Sequence, residues 1–283
     1  MPKKTTDKFL FYYGSWQDWP HRALRHGEFT DIIPIKRKQD MTFAGAAFRI
    51  AIYLIKHQGK KRQCFRLEKQ GKIAERDAIV RQYVPGWASY VIDLVGNKKT
   101  VVNVKGLENI PQTGSCVFVS NHQSYLDIPL IIASSKQAIG FISKYEILHI
   151  PLLSGWMKLL QCVFLKRKSP HQSVEAMNKG VETIKKGYSL VIFPEGHRSR
   201  SNEIKQFHPG SFKLAFRSEV PIVPVTIDGS FHLFEEHNKP MPGTVNMTFH
   251  PPVSTAGLTR AQQNEIPDKV FSIIKAALPQ KAD

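Results

Sequence analysis

The sequence predicts an α/β fold with a mostly parallel central sheet flanked by helices, preceded by an N-terminal helical region. From Thr100 onward, short apolar segments typical of buried strands alternate with segments of helical periodicity. Helices that alternate with strands usually carry the chain back across a parallel sheet. The chain has 283 residues and is 42% apolar, which suffices for a folded core. We therefore divide it into a helical region at 1–99 and an α/β domain at 100–283.

Residues 1–99 are predicted to be a basic, amphipathic, helical region that associates with a membrane. They hold 20 of the 40 Lys and Arg residues but 9 of the 23 Asp and Glu residues. Apolar side chains recur at helical spacing over 41–58, a basic stretch follows at 59–77, and a third segment, 79–96, is interrupted at Pro85-Gly86. Aromatic side chains that suit the lipid headgroup level are Trp16, Trp19, Tyr53, Trp87 and Tyr90.

An ordinary helical subdomain, buried against the rest of the chain, would show the same apolar stripes. The longest apolar segment, Met41 to Ile55, has about 15 residues and includes Arg49, so it is too short to span a bilayer. The N-terminus has lysines but no long apolar stretch, so we expect no secretory signal. Membrane contact is therefore expected to be interfacial, peripheral or monotopic, on the cytoplasmic face.

The α/β domain begins with a strand prediction in TVVNVKGLENIP, from Thr100. Further strands are predicted at 116–120, 162–165, 189–193, 221–227 and 244–249. Helices are predicted after the second strand, at 173–187, and at about 267–278.

Polar residues follow several of these strands. NHQSYLD (121–127) follows the second strand, PEGHRS (194–199) follows SLVIF, and Lys166 and Arg167 follow CVFL. Because the carboxyl ends of parallel strands meet at one edge of a sheet, we expect these groups to converge there. His122 in a turn and Asp127 in the first helical turn could meet, whether Ser124 or Asp127 is the N-cap. The carboxylate would then orient the imidazole and leave its other nitrogen as a base.

The net charge of +17 and the pI near 9.8 indicate a polyanionic partner, either nucleic acid or an anionic membrane. No helix-turn-helix, zinc-finger or RNP-type pattern is visible, so no nucleic-acid partner is expected. The three cysteines are far apart and odd in number, which predicts reduced thiols rather than disulfides or a zinc site. No HExxH or paired-carboxylate pattern indicates a metal, and no Gly-x-Ser-x-Gly elbow indicates a serine nucleophile.

Four blocks in order resemble the glycerolipid acyltransferases, which comprise the 1-acylglycerol-3-phosphate acyltransferases and their relatives. NHQSYLD is similar to the NHx4D block of that family, and VFLKR, with Arg167, to its second block. FPEGHRS (193–199) resembles the FPEGTRS block, and VPIVPV (220–225) the fourth. His197 replaces the usual Thr, which could alter acceptor binding. The resemblance covers about 100–255.

This resemblance implies transfer of a fatty acyl group from an acyl thioester to the sn-2 hydroxyl of 1-acylglycerol-3-phosphate, giving phosphatidic acid. His122 would be the general base and Asp127 its orienting partner. The residues implied in substrate binding are Lys144, Arg167, Glu195, Gly196 and Arg198. The implied partners are lysophosphatidic acid or a related lysolipid, acyl-CoA or acyl carrier protein as donor, and an anionic membrane surface; no cofactor is implied.

Two alternatives stay open from the sequence. One is an acyltransferase of the same family that acts on another lysolipid. The other is an inactive basic protein that binds membranes or nucleic acid. The intact His122, Asp127 and Glu195 favour an active enzyme.

Overall fold

A seven-stranded sheet forms the centre of the molecule in the computed structural model, which describes residues 41–165 and 170–279. The strands are β1 (Val101–Lys105), β2 (Val117–Ser120), β3 (Gly140–Lys144), β4 (Val163–Leu165), β5 (Leu190–Ile192), β6 (Ile222–Asp228) and β7 (Thr244–Phe249). Their order across the sheet is β1-β7-β6-β2-β5-β3-β4, and every neighbouring pair is parallel except β6 and β7. The predicted α/β fold with a mostly parallel sheet is confirmed.

Helices flank this sheet and precede it. They are α1 (Phe43–Lys56), α2 (Gln58–Lys69), α3 (Ile73–Val95), α4 (Asp127–Ser135), α5 (Pro151–Leu159), α6 (Pro170–Lys185), α7 (Lys213–Ser218) and α8 (Arg260–Ala276). The predicted start of the last helix was wrong. Helix α8 begins at Arg260 instead, because Thr259 and Gln262 form a capping box at that point. Pro267 lies inside the helix.

Two other elements differ from the sequence prediction. The predicted interruption at Pro85-Gly86 is absent, and α3 runs through Pro85. Proline removes one backbone hydrogen bond, but Val84 and Ala88 on either side are buried, and this packing keeps the helix intact. Strand β3 was not predicted. It begins at Gly140, where a side chain would come within 2.6 Å of the Leu160 carbonyl oxygen.

Strand β2 lies in the middle of the sheet, hydrogen-bonded to β5 on one side and β6 on the other. All four of its residues are buried, and they alternate between the two faces. Phe118 packs into one apolar core, whereas Val117 and Val119 pack into the other. This double burial fixes the position at which β2 ends, and therefore the position of the loop that follows it.

The N-terminal helices share apolar cores with the α/β part. Val91 and Val95 of α3 pack in the core that contains Phe118, and Leu54 of α1 packs with Trp156 of α5. The division of the chain into two functional regions at residue 99 stays a prediction. Residues 1–40, with the predicted interfacial Trp16 and Trp19, lie outside the described part of the chain.

The outer face of α1 is apolar. Phe43 and Phe48 are each 61% exposed and Ile55 is 55% exposed. Ala44 and Ala47 are exposed on the same side of the helix. Among the residues that the structure describes, no helix combines the length and the hydropathy needed to span a bilayer.

A buried arginine joins the N-terminal helices to the strand region. The Arg76 side chain is 2% exposed and donates to Glu68 at 2.7 Å, to Asp77 and to the Tyr188 hydroxyl. Tyr188 precedes β5 and also donates to Asp77 at 2.8 Å. This network therefore connects α2 and α3 to the start of β5.

We expect Arg76→Ala to lower the free energy of unfolding by about 3 kcal/mol, because it leaves two carboxylates without their buried cation. Chemical denaturation of the purified protein measures this change. Arg81→Ala, at an exposed position of the same helix, is the matched control and should stay within about 0.5 kcal/mol of the parent. Equal effects of the two substitutions would contradict the role of Arg76.

Candidate active site

Three loops meet at the carboxyl edge of the sheet. They follow β2, β5 and β6, which are adjacent and parallel. Asn121 joins the first loop to β6, because its side-chain amide donates to the Ile227 carbonyl at 2.7 Å and accepts from the Ile227 N–H at 2.8 Å. The loops after β2 and β5 are joined by the His122 N–H, which donates to Glu195 at 2.7 Å, so the predicted convergence of polar groups is present for these two loops.

His122 and Asp127 form a hydrogen-bonded pair, with 2.7 Å between His122 Nδ1 and Asp127 Oδ2. Asp127 Oδ2 also accepts from the backbone N–H groups of Gln123 and Ser124, at 2.7 and 2.9 Å. The other oxygen, Oδ1, accepts from the Ser230 hydroxyl at 2.5 Å. The Asp127 carboxylate, fully buried, is thus held by four donors.

Neither of the predicted N-caps is correct. Helix α4 begins at Asp127, and Leu126 is its N-cap residue, without a side-chain capping bond. The Asp127 carboxylate turns back toward the preceding loop instead. The Ser124 hydroxyl accepts from the Leu126 N–H at 3.0 Å and donates to Glu235.

The imidazole of His122 is fixed in position and in tautomer. Because an ionised carboxylate can only accept, its partner Nδ1 carries the proton in the neutral ring, and Nε2 carries the lone pair. The ring stacks on Phe193 with centroids 4.0 Å apart and an angle of 18° between the planes. Part of the side chain stays accessible to solvent, with a relative exposure of 19%.

Glu195, in the loop after β5, connects this loop to the one after β2. The carboxylate is buried, and its oxygens accept from the His122 N–H at 2.7 Å and from the Lys205 N–H at 3.2 Å. Burial raises the pKa of Glu195, and the two backbone N–H bonds oppose this rise. Gly196 follows with a φ of 73°, a conformation in which a side chain is strained.

Arg198 lies beside the first loop. Its Nη1 donates to Glu235 Oε1 at 2.8 Å, and its guanidinium carbon lies 3.3 Å from the centroid of the Tyr125 ring. The side chain is largely buried in this arrangement. The neighbouring Ser199 donates its N–H to the His122 carbonyl at 2.7 Å, which holds this loop against the first one.

The remaining predicted site residues are either exposed or outside the described part of the chain. Lys144 ends β3 at the same edge of the sheet and is exposed, as is His197. Arg167 lies outside the described residues, as does Lys166.

An aromatic series extends from this site to α1. The Tyr125 ring lies 6.4 Å from that of Phe234, which lies 5.5 Å from that of Phe43. Tyr125 and Phe43 are both exposed. The apolar outer face of α1 therefore begins next to the loops that hold His122 and Arg198.

The sequence analysis missed two residues of the loop after β6, Ser230 and Glu235. Gln123 was within a quoted block but had no assigned role, and its side chain accepts from the Ser230 N–H at 3.2 Å. Ser230 follows the carboxyl end of β6 by two residues, so the same strand-end reasoning could have found it. Within the described ranges, no group of three or more His, Cys, Asp or Glu side chains is arranged to hold a metal ion.

Comparison with known proteins gives the family. An acyltransferase family model matches residues 101–228. The chain is 32% identical over 196 residues to the probable 1-acyl-sn-glycerol-3-phosphate acyltransferase of Mycoplasma genitalium. The aligned residues cover 64% of this chain and 71% of that protein. The chain belongs to the acyltransferase family. The family predicted from the four blocks is thereby confirmed.

Other acyltransferases match at similar levels. The chloroplastic 1-acyl-sn-glycerol-3-phosphate acyltransferase BAT2 of Brassica napus is 37% identical over 170 residues, 59% of this chain and 48% of that protein. The chain thus spans about half the length of the two chloroplastic relatives from Brassica napus and Arabidopsis thaliana that it matches. The crystal structure of the 1-acyl-sn-glycerophosphate (LPA) acyltransferase PlsC from Thermotoga maritima superposes with a TM-score of 0.70 at 27% identity, covering 82% of this chain and 90% of that one.

Proposed function

We propose that this acyltransferase transfers a fatty acyl group from an acyl thioester to the sn-2 hydroxyl of 1-acylglycerol-3-phosphate, giving phosphatidic acid. The observation that carries the proposal is the 2.7 Å contact between His122 Nδ1 and Asp127 Oδ2, which leaves Nε2 as a base. The loop that carries Arg198 adjoins it, since Ser199 donates to the His122 carbonyl. The names of the relatives support the choice of acceptor.

In the proposed reaction, His122 Nε2 takes the proton of the acceptor hydroxyl while that oxygen attacks the thioester carbonyl carbon. Asp127 stabilises the imidazolium that forms. The carbon–sulfur bond then breaks, and the leaving thiolate takes the proton from Nε2. Because a thiolate leaves readily, the step needs no covalent acyl-enzyme, and we propose that it needs no cofactor.

The acceptor phosphate is proposed to bind the free edge of the Arg198 guanidinium. Arginine suits this role because its planar N–H groups can contact two phosphate oxygens at once. Lys144 and Arg167 are proposed to add positive charge. Glu195 and Gly196 are proposed to shape the loop around the glycerol, in keeping with the two backbone N–H bonds of Glu195.

The membrane association proposed for the N-terminal region has support from α1. Its exposed phenylalanines adjoin a strongly basic part of the chain, a combination typical of helices that lie in an anionic lipid interface. We propose a peripheral or monotopic protein on the cytoplasmic face of a membrane. The donor is proposed to be acyl-CoA or acyl carrier protein.

A different lysolipid acceptor is the second candidate. It is favoured by one observation: His197 occupies the Thr position of the FPEGTRS block and is exposed next to Arg198. A panel of lysolipid acceptors with both donor types, assayed with the purified protein, separates the two candidates. Faster turnover of phosphate monoester acceptors than of all other lysolipids would support 1-acylglycerol-3-phosphate as the acceptor.

We expect His122→Ala to lower kcat/KM at least 10²-fold, because the variant lacks the base. The measurement is steady-state acyl transfer, with thermal unfolding to verify that the variant is folded. His237→Ala is the matched control, since His237 is exposed and contacts only Glu236 among the ion pairs of the described residues. Turnover retained by a folded His122→Ala variant would refute the mechanism.

We expect Arg198→Ala to raise the KM for a phosphate-bearing acceptor about tenfold or more, equivalent to about 1.4 kcal/mol of lost binding. The kcat and the KM for the acyl donor should change little, because the guanidinium is proposed to contact the acceptor and not the donor. Initial rates over both substrate concentrations separate these constants. An unchanged acceptor KM would remove Arg198 from the phosphate site.

We expect replacement of Phe43, Phe48 and Ile55 by serine to weaken binding to anionic vesicles, because the variant has less apolar surface to insert. Vesicle co-sedimentation measures this, and high salt should release the parent protein. Replacement of Leu107 and Val174, which are exposed elsewhere, by serine is the matched control. Binding to duplex DNA without binding to vesicles would favour the nucleic-acid alternative.

A further inference from the structure

Glu235 lies between the loop that carries His122 and the loop that carries Arg198, both of which the proposed function uses. It follows the short helix Ser230–Leu233 after β6, and its side chain is 4% exposed. A carboxylate so buried requires hydrogen-bond donors or a cation. Glu235 has both, and all of them come from the loops of the site.

Each oxygen of Glu235 has a defined partner. Oε1 accepts from Arg198 Nη1 and from the Tyr125 N–H, both at 2.8 Å. Oε2 accepts from the Ser124 hydroxyl at 2.7 Å. One side chain therefore connects the loop that carries His122 with the loop that carries Arg198.

The Arg198 guanidinium is held from two directions. Glu235 fixes one end of its planar group, and the Tyr125 ring covers one face at 3.3 Å. The Tyr125 N–H bond to the same carboxylate oxygen fixes the backbone that carries this ring. The other guanidinium N–H groups keep a set direction, which is what bidentate binding of a phosphate needs.

We propose that Glu235 is a positioning residue, which acts through Arg198 and Tyr125 to orient the guanidinium toward the acceptor phosphate. This inference rests on the proposed function, in which Arg198 binds that phosphate. Arginine is among the side chains that lose the most conformational entropy on ordering. Glu235 orders it before the acceptor arrives and so lowers the cost of binding.

Loss of Glu235 has two opposing effects on the acceptor. It removes a negative charge that repels the phosphate, and it frees Arg198 and the Tyr125 backbone. We expect the second effect to dominate, because the Arg198 guanidinium already neutralises the carboxylate, whereas no other ion pair among the described residues holds Arg198.

A double-mutant cycle tests this inference in the full-length protein, with 1-acylglycerol-3-phosphate as acceptor and acyl-CoA or acyl carrier protein as donor, whichever supports turnover. Glu235→Ala should raise the acceptor KM about tenfold while kcat stays within about threefold. In the Arg198→Ala background, the same substitution should change the acceptor KM less than about twofold, because its effect passes through the missing guanidinium. Glu236→Ala is the matched control, since Glu236 is the next residue but contacts His232 and His237.

Glu235→Asp keeps the inference testable if the alanine variant does not fold. The shorter side chain keeps the charge but draws the carboxylate away from Arg198 and the Tyr125 N–H, so the acceptor KM should rise about threefold or more. A folded aspartate variant with an unchanged acceptor KM would overturn the inference.

Glu235→Gln is the control that removes the charge and keeps the hydrogen bonds. The amide oxygen can still accept from Arg198 and the Tyr125 N–H, so the acceptor KM should stay within about threefold of the parent. Additive effects of Glu235→Ala and Arg198→Ala, a lower acceptor KM, or a loss confined to kcat would overturn the inference alone. An acceptor KM unchanged by Arg198→Ala would overturn it together with the phosphate role of Arg198.

Discussion

The site is organised around the hydrogen bonds of one buried carboxylate, Asp127. Its oxygens are bonded to the His122 ring, two backbone N–H groups and the Ser230 hydroxyl. A buried carboxylate without such donors would cost several kcal/mol. The chain between His122 and Asp127 must therefore fold as a tight turn around this group, and the imidazole has little freedom left.

The order of the sheet determines which loops can supply those donors. β2 lies between β5 and β6, so the loop that carries His122 contacts the Glu195 loop on one side and the Ser230 loop on the other. Glu195 and Glu235 each connect the first loop to another loop by hydrogen bonds. Three separate segments thus act as one rigid unit, as a site with defined geometry requires.

Much of this arrangement could be predicted from the sequence. Apolar strands that alternate with helices predicted the fold class, and the polar residues after β2 predicted the pair His122 and Asp127. The resemblance of the four blocks to the acyltransferases implied Glu195 and Arg198. The strand at Gly140 and the continuous helix through Pro85 were missed, because tertiary packing there outweighs local propensity. Ser230, two residues past β6, was within reach of the strand-end reasoning. Glu235 lies more than 100 positions from the Ser124 that it contacts, and no local pattern encodes such a contact.

The aromatic series from Tyr125 through Phe234 to Phe43 bears on how the proposed reaction would be supplied. A protein seated on the lipid by the outer face of α1 would have its catalytic edge at the level of the headgroups. The acceptor could then arrive by lateral diffusion in the leaflet, and the far less soluble product could leave the same way. Turnover would follow the mole fraction of lysolipid in the surface rather than its bulk concentration, so dilution with inert lipid would slow the enzyme even when every substrate molecule is still present.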